Sequence, residues 1–338
     1  MRAIIRYTVL VLVVTISLLT TITFMHEGFC NATSFLALKR TGTGSLNPNT
    51  VTTLSPPRRA NATFVLLARN SDLDGIVISM KQIEDRFNKK FGYPYVFLNE
   101  EPFTDDFKRH ITELTDAEVK FGLIPREHWF QPEWIDEGKA AAAREKMVTK
   151  QVLYGGSVPY RNMCRFNSGF FWRNELLEEY KYYWRWGALY ILSGFPSHVG
   201  LASIRPDVKF FCDLDYDPFL VMEDQKKVYA FTITFPEFIK EYPRYIEPDN
   251  SLDFLSDDGG ETYNLVWSNF EIGDLEFWRG EAYGQFFDFL DKKGGFYYER
   301  WGDAPVHSMG VALLARRDQI VRGILRLSPP LLTGDPSV

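Results

Sequence analysis

Residues 61–99 read NATFVLLARNSDLDGIVISMKQIEDRFNKKFGYPYVFLN. Phe64–Ala68 is an unbroken apolar run of strand length, bounded by polar residues. Ser71 and Asp72 stand where a helix cap belongs. Ile76, Val77, Met80, Ile83 and Phe87 then recur at helical spacing, which puts them on one apolar face. Gly92 stops the helix, and Tyr95–Leu98 reads as a second strand. Strand, helix and strand in succession make a β-α-β unit with parallel strands.

The same alternation continues outward. Thr104–Leu114, Pro132–Lys150 and Asn174–Trp184 read as helices, and Val119–Ile124 and Val208–Cys212 as strands. The expected fold class is therefore α/β, a mostly parallel central sheet of the nucleotide-binding kind. No GxGxxG or Walker loop is present, which demotes dinucleotide dehydrogenases and P-loop enzymes. No internal repeat is visible.

The 338 residues carry 38 Lys and Arg against 44 Asp and Glu, a formal charge of −6, so no nucleic-acid partner is expected. The 16% aromatic content suits a ring-rich core and equally suits platforms for sugar faces. Charge is uneven along the chain. Residues 1–60 hold Arg2, Arg6, Lys39, Arg40, Arg58 and Arg59 against Glu27 alone. Tyr7–Met25 is uncharged and long enough to cross a bilayer core. It ends in Thr-Phe-Met-His-Glu with no small-x-small cleavage site, so an uncleaved signal-anchor is expected rather than a cleaved signal peptide. The expected order is a cytosolic tail (1–6), a transmembrane anchor (7–25), a stalk (26–60) rich in Ser, Thr, Asn, Pro and Gly, and a lumenal domain from residue 61. Asn31 and Asn61 each begin a glycosylation sequon. Cys30, Cys164 and Cys212 permit one disulfide at most and show no zinc spacing.

Four stretches carry candidate chemistry. The first is VKFFCDLDYDP (208–218), which ends in Asp213, Asp215 and Asp217 and offers hard oxygen ligands to Mg²⁺ or Mn²⁺, or else only an acidic turn. The second is YNLVWSNFEIG (263–273), where Glu271 lies among aromatics; such a carboxylate could meet an oxocarbenium-like centre or serve as a salt-bridge partner. The third comprises YRNMCRF (160–166) and Arg185, whose guanidinium forks suit diphosphate oxygens. The fourth is WGDAPVH (301–307), where Asp303 could accept sugar hydroxyls and His307 could ligate a metal or sit as a satisfied structural residue.

Together with EDRFNKKFGYPYVFLNEEPFTDDFK, FGLIPREHWFQPEWID, YKYYWR, PDNSLDFLSDDGG and GGFYYERWGDAPVHS, these stretches resemble the fungal Golgi α-1,2-mannosyltransferases, glycosyltransferase family 15, over about residues 61–318. The resemblance implies a GT-A type fold and retaining transfer of mannose from GDP-mannose to mannose hydroxyls of O-linked and N-linked mannan chains on glycoproteins. It also implies Mn²⁺ as the metal and a type II protein of the Golgi membrane. It puts Glu271 at the family's candidate nucleophile and Tyr160, Arg185 and Asp303 at donor and active-site positions.

The resemblance breaks at the metal. The family's Glu-Pro-Asp element here reads Arg205-Pro206-Asp207, which leaves Asp207, with His307, as candidate ligands. A cation at Arg205 repels Mn²⁺. Residues 186–204 read as an insertion, and 319–338 as a divergent tail in place of the family's Gly-Tyr-x-His metal element. An impaired transferase is thus one expectation. An inactive, membrane-anchored glycan-binding relative, or a transcript carrying an intron, is the other.

Overall fold

The computed structural model describes residues 58–152, 154–186, 210, 213–238, 262–266, 268 and 270–324. The expected anchor, almost all of the stalk, the insertion beyond Trp186, Arg205 and Asp207 lie outside the described residues. Among the described residues no helix is long and apolar enough to cross a membrane.

The decisive stretch folds as its pattern requires. Strand β1 (Ala62–Leu67) leads into helix α1 (Leu73–Ile83), which buries Ile76, Met80 and Ile83. A π turn at Glu84–Asn88 and a last helical turn at Lys89–Phe91 carry the coil to Gly92. There φ is +67°, a conformation that suits glycine and ends the helix. Asp72 occupies the cap position, yet its carboxylate accepts from the Arg69 amide behind it rather than from the helix. Strand β2 (Tyr95–Asn99) is buried throughout and pairs in parallel with β1, Val65 opposite Val96. Continuous apolar strands are what a sheet covered on both faces demands.

Beyond it come α2 (Asp105–Thr112), β3 (Val119–Leu123), α3 (Glu137–Thr149) and α4 (Val158–Gly169), each helix opened by a side-chain cap from Thr104, Asp136 or Ser157. Asn174–Trp184 does not form the expected helix. It makes a 3₁₀ turn at Glu175–Leu177 and then strand β4 (Tyr182–Trp186). Consecutive Tyr, Tyr and Trp side chains pack well on a pleated surface, and pairing with β1 on one side overrides the local helical pattern. Helix α5 (Pro218–Asp224) precedes β5 (Tyr229–Phe231), and a separate ribbon pairs β6 (Thr234–Phe238) with β7 (Thr262–Val266). Strand β8 (Phe270–Asp274), helices α6 (Leu275–Arg279), α7 (Glu281–Lys293) and α8 (Asp303–Leu314), and β9 (Ile320–Arg322) complete the order. Of the expected strand at Val208–Cys212 only Phe210 is described, in no regular element.

The main sheet runs β3-β2-β1-β4-β8-β5-β9. All its strands point one way except β8, which lies antiparallel between β4 and β5. The mostly parallel α/β expectation holds. Strand β9 pairs with β5, so the sheet uses residues past 318. The aromatics fill both faces: Phe64 stacks on Tyr95 at 4.9 Å and meets Trp184 and Phe87, while Trp172, Trp278 and Tyr283 pack on the other side. Each such buried ring contributes about 1.5–3 kcal/mol by leaving water.

Candidate active site

The site forms where the parallel half of the sheet meets its antiparallel strand. In the β4–β8 register Arg185 lies directly opposite Glu271. Side chains two apart on a strand share a face, so Tyr183 stands on the same side of β4 as Arg185. On the far side of β8, Tyr229 and Phe231 flank Gly273 and Glu271. A Cβ at Gly273 would sit 2.6 Å from the Tyr183 ring, so this bare position lets Tyr183 lean over β8.

Glu271 is completely buried, and four side chains close round its carboxylate, three through hydrogen bonds and one through an ion pair. Oε1 accepts from the Tyr183 hydroxyl at 2.7 Å and forms an ion pair with Arg185 Nη2 at 3.0 Å. Oε2 takes the Tyr229 hydroxyl at 2.7 Å and lies 2.9 Å from His307 Nδ1. Burial alone would push this carboxyl up. Arg185 and His307 beside it, with the hydrogen bonds from His307 and Tyr229, outweigh burial and hold it at about 2.

Arg185 is the branch point. Its Nη2 also donates to Asp303 Oδ2 at 3.0 Å and to the Ser268 carbonyl at 3.3 Å. Ser268 Oγ donates to the same Asp303 oxygen at 3.1 Å. Burial works against the Arg185 charge, but Glu271 and Asp303 together keep it raised. Arg185 Nη1 is buried and has no hydrogen-bond partner among the described residues. Asp303 opens α8, where the helix dipole favours a carboxylate.

Tyr160, in the first turn of α4, completes the group. It lies in electrostatic reach of Cys164, and the Asp303 charge reaches both residues. Burial pushes the Cys164 thiol up to about 12, and Asp303 adds to that. The Tyr160 ring is stacked on Tyr154 at 5.0 Å, with the Arg300 guanidinium 5.3 Å from its centroid. The structure thus links Glu271, Arg185 and Asp303 directly, with Tyr160 in electrostatic reach of Asp303, near the carboxyl end of β4.

Three expectations need correction. His307 is no metal ligand here: it is fully buried on Trp278, one ring nitrogen faces Glu271 and the other lies 3.0 Å from the Asn167 carbonyl. Both ring nitrogens are thus engaged within the protein, and no carboxylate cluster that could complete a metal site surrounds them among the described residues. The Asp213–Asp217 carboxylates do not converge. Asp217 caps α5 and accepts the Tyr93 hydroxyl at 2.6 Å, Asp213 pairs with Arg86, and both lie by the amino end of β2. Nor does Glu271 present an open oxygen to attack a sugar, since the carboxylate is fully buried and both oxygens are engaged by neighbouring side chains. Sequence reading missed Tyr183, Tyr229 and Ser268. Tyr183 was two residues from Arg185, but a helical reading of 174–184 hid their common face.

A family model described as glycolipid 2-alpha-mannosyltransferase, glycosyltransferase family 15, matches residues 33–322. The chain belongs to that family. It is 51% identical over 278 residues to glycolipid 2-alpha-mannosyltransferase 1 of Candida albicans, covering 78% of this chain and 60% of the relative. It is 44% identical to an O-glycoside alpha-1,2-mannosyltransferase of Schizosaccharomyces pombe, covering 82% and 70%. The chain spans about 60% of the length of the first of these. Among solved structures it is similar to core-mannan synthase A from Aspergillus fumigatus in its Mn/GDP form, with 34% identity, a TM-score of 0.66 and coverage of 84% and 80%. It is also similar to a Saccharomyces cerevisiae mannosyltransferase in complex with GDP, with 36% identity, a TM-score of 0.67 and coverage of 78% and 69%.

Family 15 membership makes a metal site the next question. Among the described residues no three His, Cys, Asp or Glu side chains gather in metal-binding geometry. With His307 occupied on both nitrogens and the aspartates dispersed, the described donor set does not fit Mn²⁺. Asp207 lies outside the described residues.

Proposed function

We propose that this family 15 chain is a retaining α-1,2-mannosyltransferase that moves mannose from GDP-mannose to mannose hydroxyls on O-linked or N-linked mannan chains of glycoproteins. It works in the Golgi lumen on a GT-A type domain held by the signal-anchor at 7–25. The observation that carries the reading is Arg185: a buried guanidinium fixed between Glu271 and Asp303, with one nitrogen that has no hydrogen-bond partner among the described residues. Such a donor, held in a low-dielectric site, stabilises charge growing on a departing diphosphate. Asp303 is set to accept an acceptor hydroxyl, and the stacked Tyr154–Tyr160 pair offers a flat wall beside it. The Mn/GDP form of the Aspergillus fumigatus neighbour supports the nucleotide and an accompanying Mn²⁺.

The test is direct. The purified chain with GDP-mannose, a mannoside acceptor and Mn²⁺ should yield an α-1,2-linked product, and Arg185→Ala should remove it. Absence of product under all metal conditions sinks the reading. Arg205, standing where the family has Glu, favours a second reading in which the chain binds glycan without turnover. Activity restored only by Arg205→Glu would decide for it. Protease protection of the domain in intact membrane vesicles tests the lumenal topology.

A further inference from the structure

The saturation of Glu271 is out of keeping with an attacking group. A nucleophile needs an exposed lone pair, and this carboxylate is fully buried behind Tyr183, Tyr229, Arg185 and His307. Both oxygens are turned to protein partners, through three hydrogen bonds and the Arg185 ion pair. His307 is held in turn by the Asn167 carbonyl and by the Trp278 ring, 4.4 Å between centroids. It therefore fixes the side of Glu271 that Arg185 does not. Arg185 has the opposite character: one terminal nitrogen donates two hydrogen bonds and pairs with Glu271, while the other is buried with no hydrogen-bond partner among the described residues.

We propose that Glu271 and His307 are positioning residues, a buried cradle that aims Arg185 Nη1 at the diphosphate of the nucleotide, and that Glu271 does not bond to the sugar. This rests on the transferase reading above. Retention of configuration then requires the leaving diphosphate and the incoming hydroxyl to use the same face of the sugar. The C–O bond to the diphosphate breaks with its electron pair going to the phosphate oxygen. The acceptor oxygen forms the new bond, and its proton passes to that departing oxygen.

The experiment is a double-variant cycle on GDP binding, read by calorimetry on the full chain in detergent with Mn²⁺ present. In Glu271→Gln one oxygen becomes an amide that faces two donors, so the cradle cannot be satisfied. GDP affinity should fall about tenfold or more, as in Arg185→Lys. The double variant should bind no more weakly than the worse single variant, the sign of one coupled unit. Tyr229→Phe keeps the charge and the volume. It should lower GDP affinity and kcat together by a few-fold, and it decides the matter if the Gln variant does not fold. His307→Asn should lower GDP affinity in the same direction. GDP binding equal to wild type in Glu271→Gln and in Tyr229→Phe, or a hexosyl adduct on Glu271 in quenched reactions, overturns the inference alone. A wild-type chain that neither binds GDP nor makes product overturns the transferase reading, and the inference falls with it.

Discussion

Glu271 shows how a single side chain can be kept ionised without water. The folded carboxyl sits at about 2, below the usual glutamate value of 4.5. A depressed carboxylate contributes stability above its unfolded pKa and loses it as pH falls through the folded one. The window is therefore from pH 4.5 down to pH 2, and the contribution is on the order of 3 kcal/mol. Urea midpoints taken across that window should fall more steeply for wild type than for Glu271→Gln; parallel curves would count against the ion cluster. Truncation is harsher. Glu271→Ala leaves Arg185 and His307 buried beside an empty space, and breaking a buried pair costs about 3–5 kcal/mol. Asp217 gives the contrasting case. As an α5 cap and acceptor for Tyr93, it predicts that Asp217→Ala lowers the unfolding free energy from urea titration by about 1–2 kcal/mol while the Mn²⁺ dependence of any activity stays put. A lost metal response would restore it as a ligand.

At the scale of elements, helix packing sets the site's depth. Gly169 ends α4 against Phe287 of α7, and a Cβ there would lie 1.9 Å from the ring. Gly169→Ala must push the two helices apart, at a cost of about 1–3 kcal/mol, visible as a lower melting temperature. The same shift moves α4, and with it Tyr160 relative to Asp303, so GDP affinity should fall as well. Sequence patterns located α1 and α2 because each carries its own cap or stop and a periodic apolar face, and α3 because its alanine run favours a helix behind the Asp136 cap. They failed at β4, where Glu175–Leu177 favours a helix locally and only the neighbours β1 and β8 make a strand. That failure concealed the shared face of Tyr183 and Arg185, and with it half of the cradle.

At the scale of the molecule, one antiparallel strand within a parallel sheet brings distant residues together. Tyr183 and Arg185 arrive from one segment, Tyr229 from a second, Glu271 from a third and Asp303 and His307 from a fourth. If this seam receives the nucleotide, GDP at a hundred times its Kd should stabilise the chain by about 2.7 kcal/mol, and Arg185→Lys should diminish the thermal shift. An unchanged shift in that variant would place the nucleotide elsewhere.

By itself the sequence determined the β-α-β start, the parallel character of the sheet, the family and the identities of Glu271, Arg185, Asp303 and Tyr160 as a set. These are legible because apolar period, glycine stops and long ordered matches are local properties of the chain. Only the tertiary structure decided what those groups do to one another. Whether a histidine holds a metal or a carboxylate, and whether a carboxylate is open or spent, depends on which acceptors and donors surround it. Those neighbours come from segments up to 140 residues apart, as with Asn167 and His307.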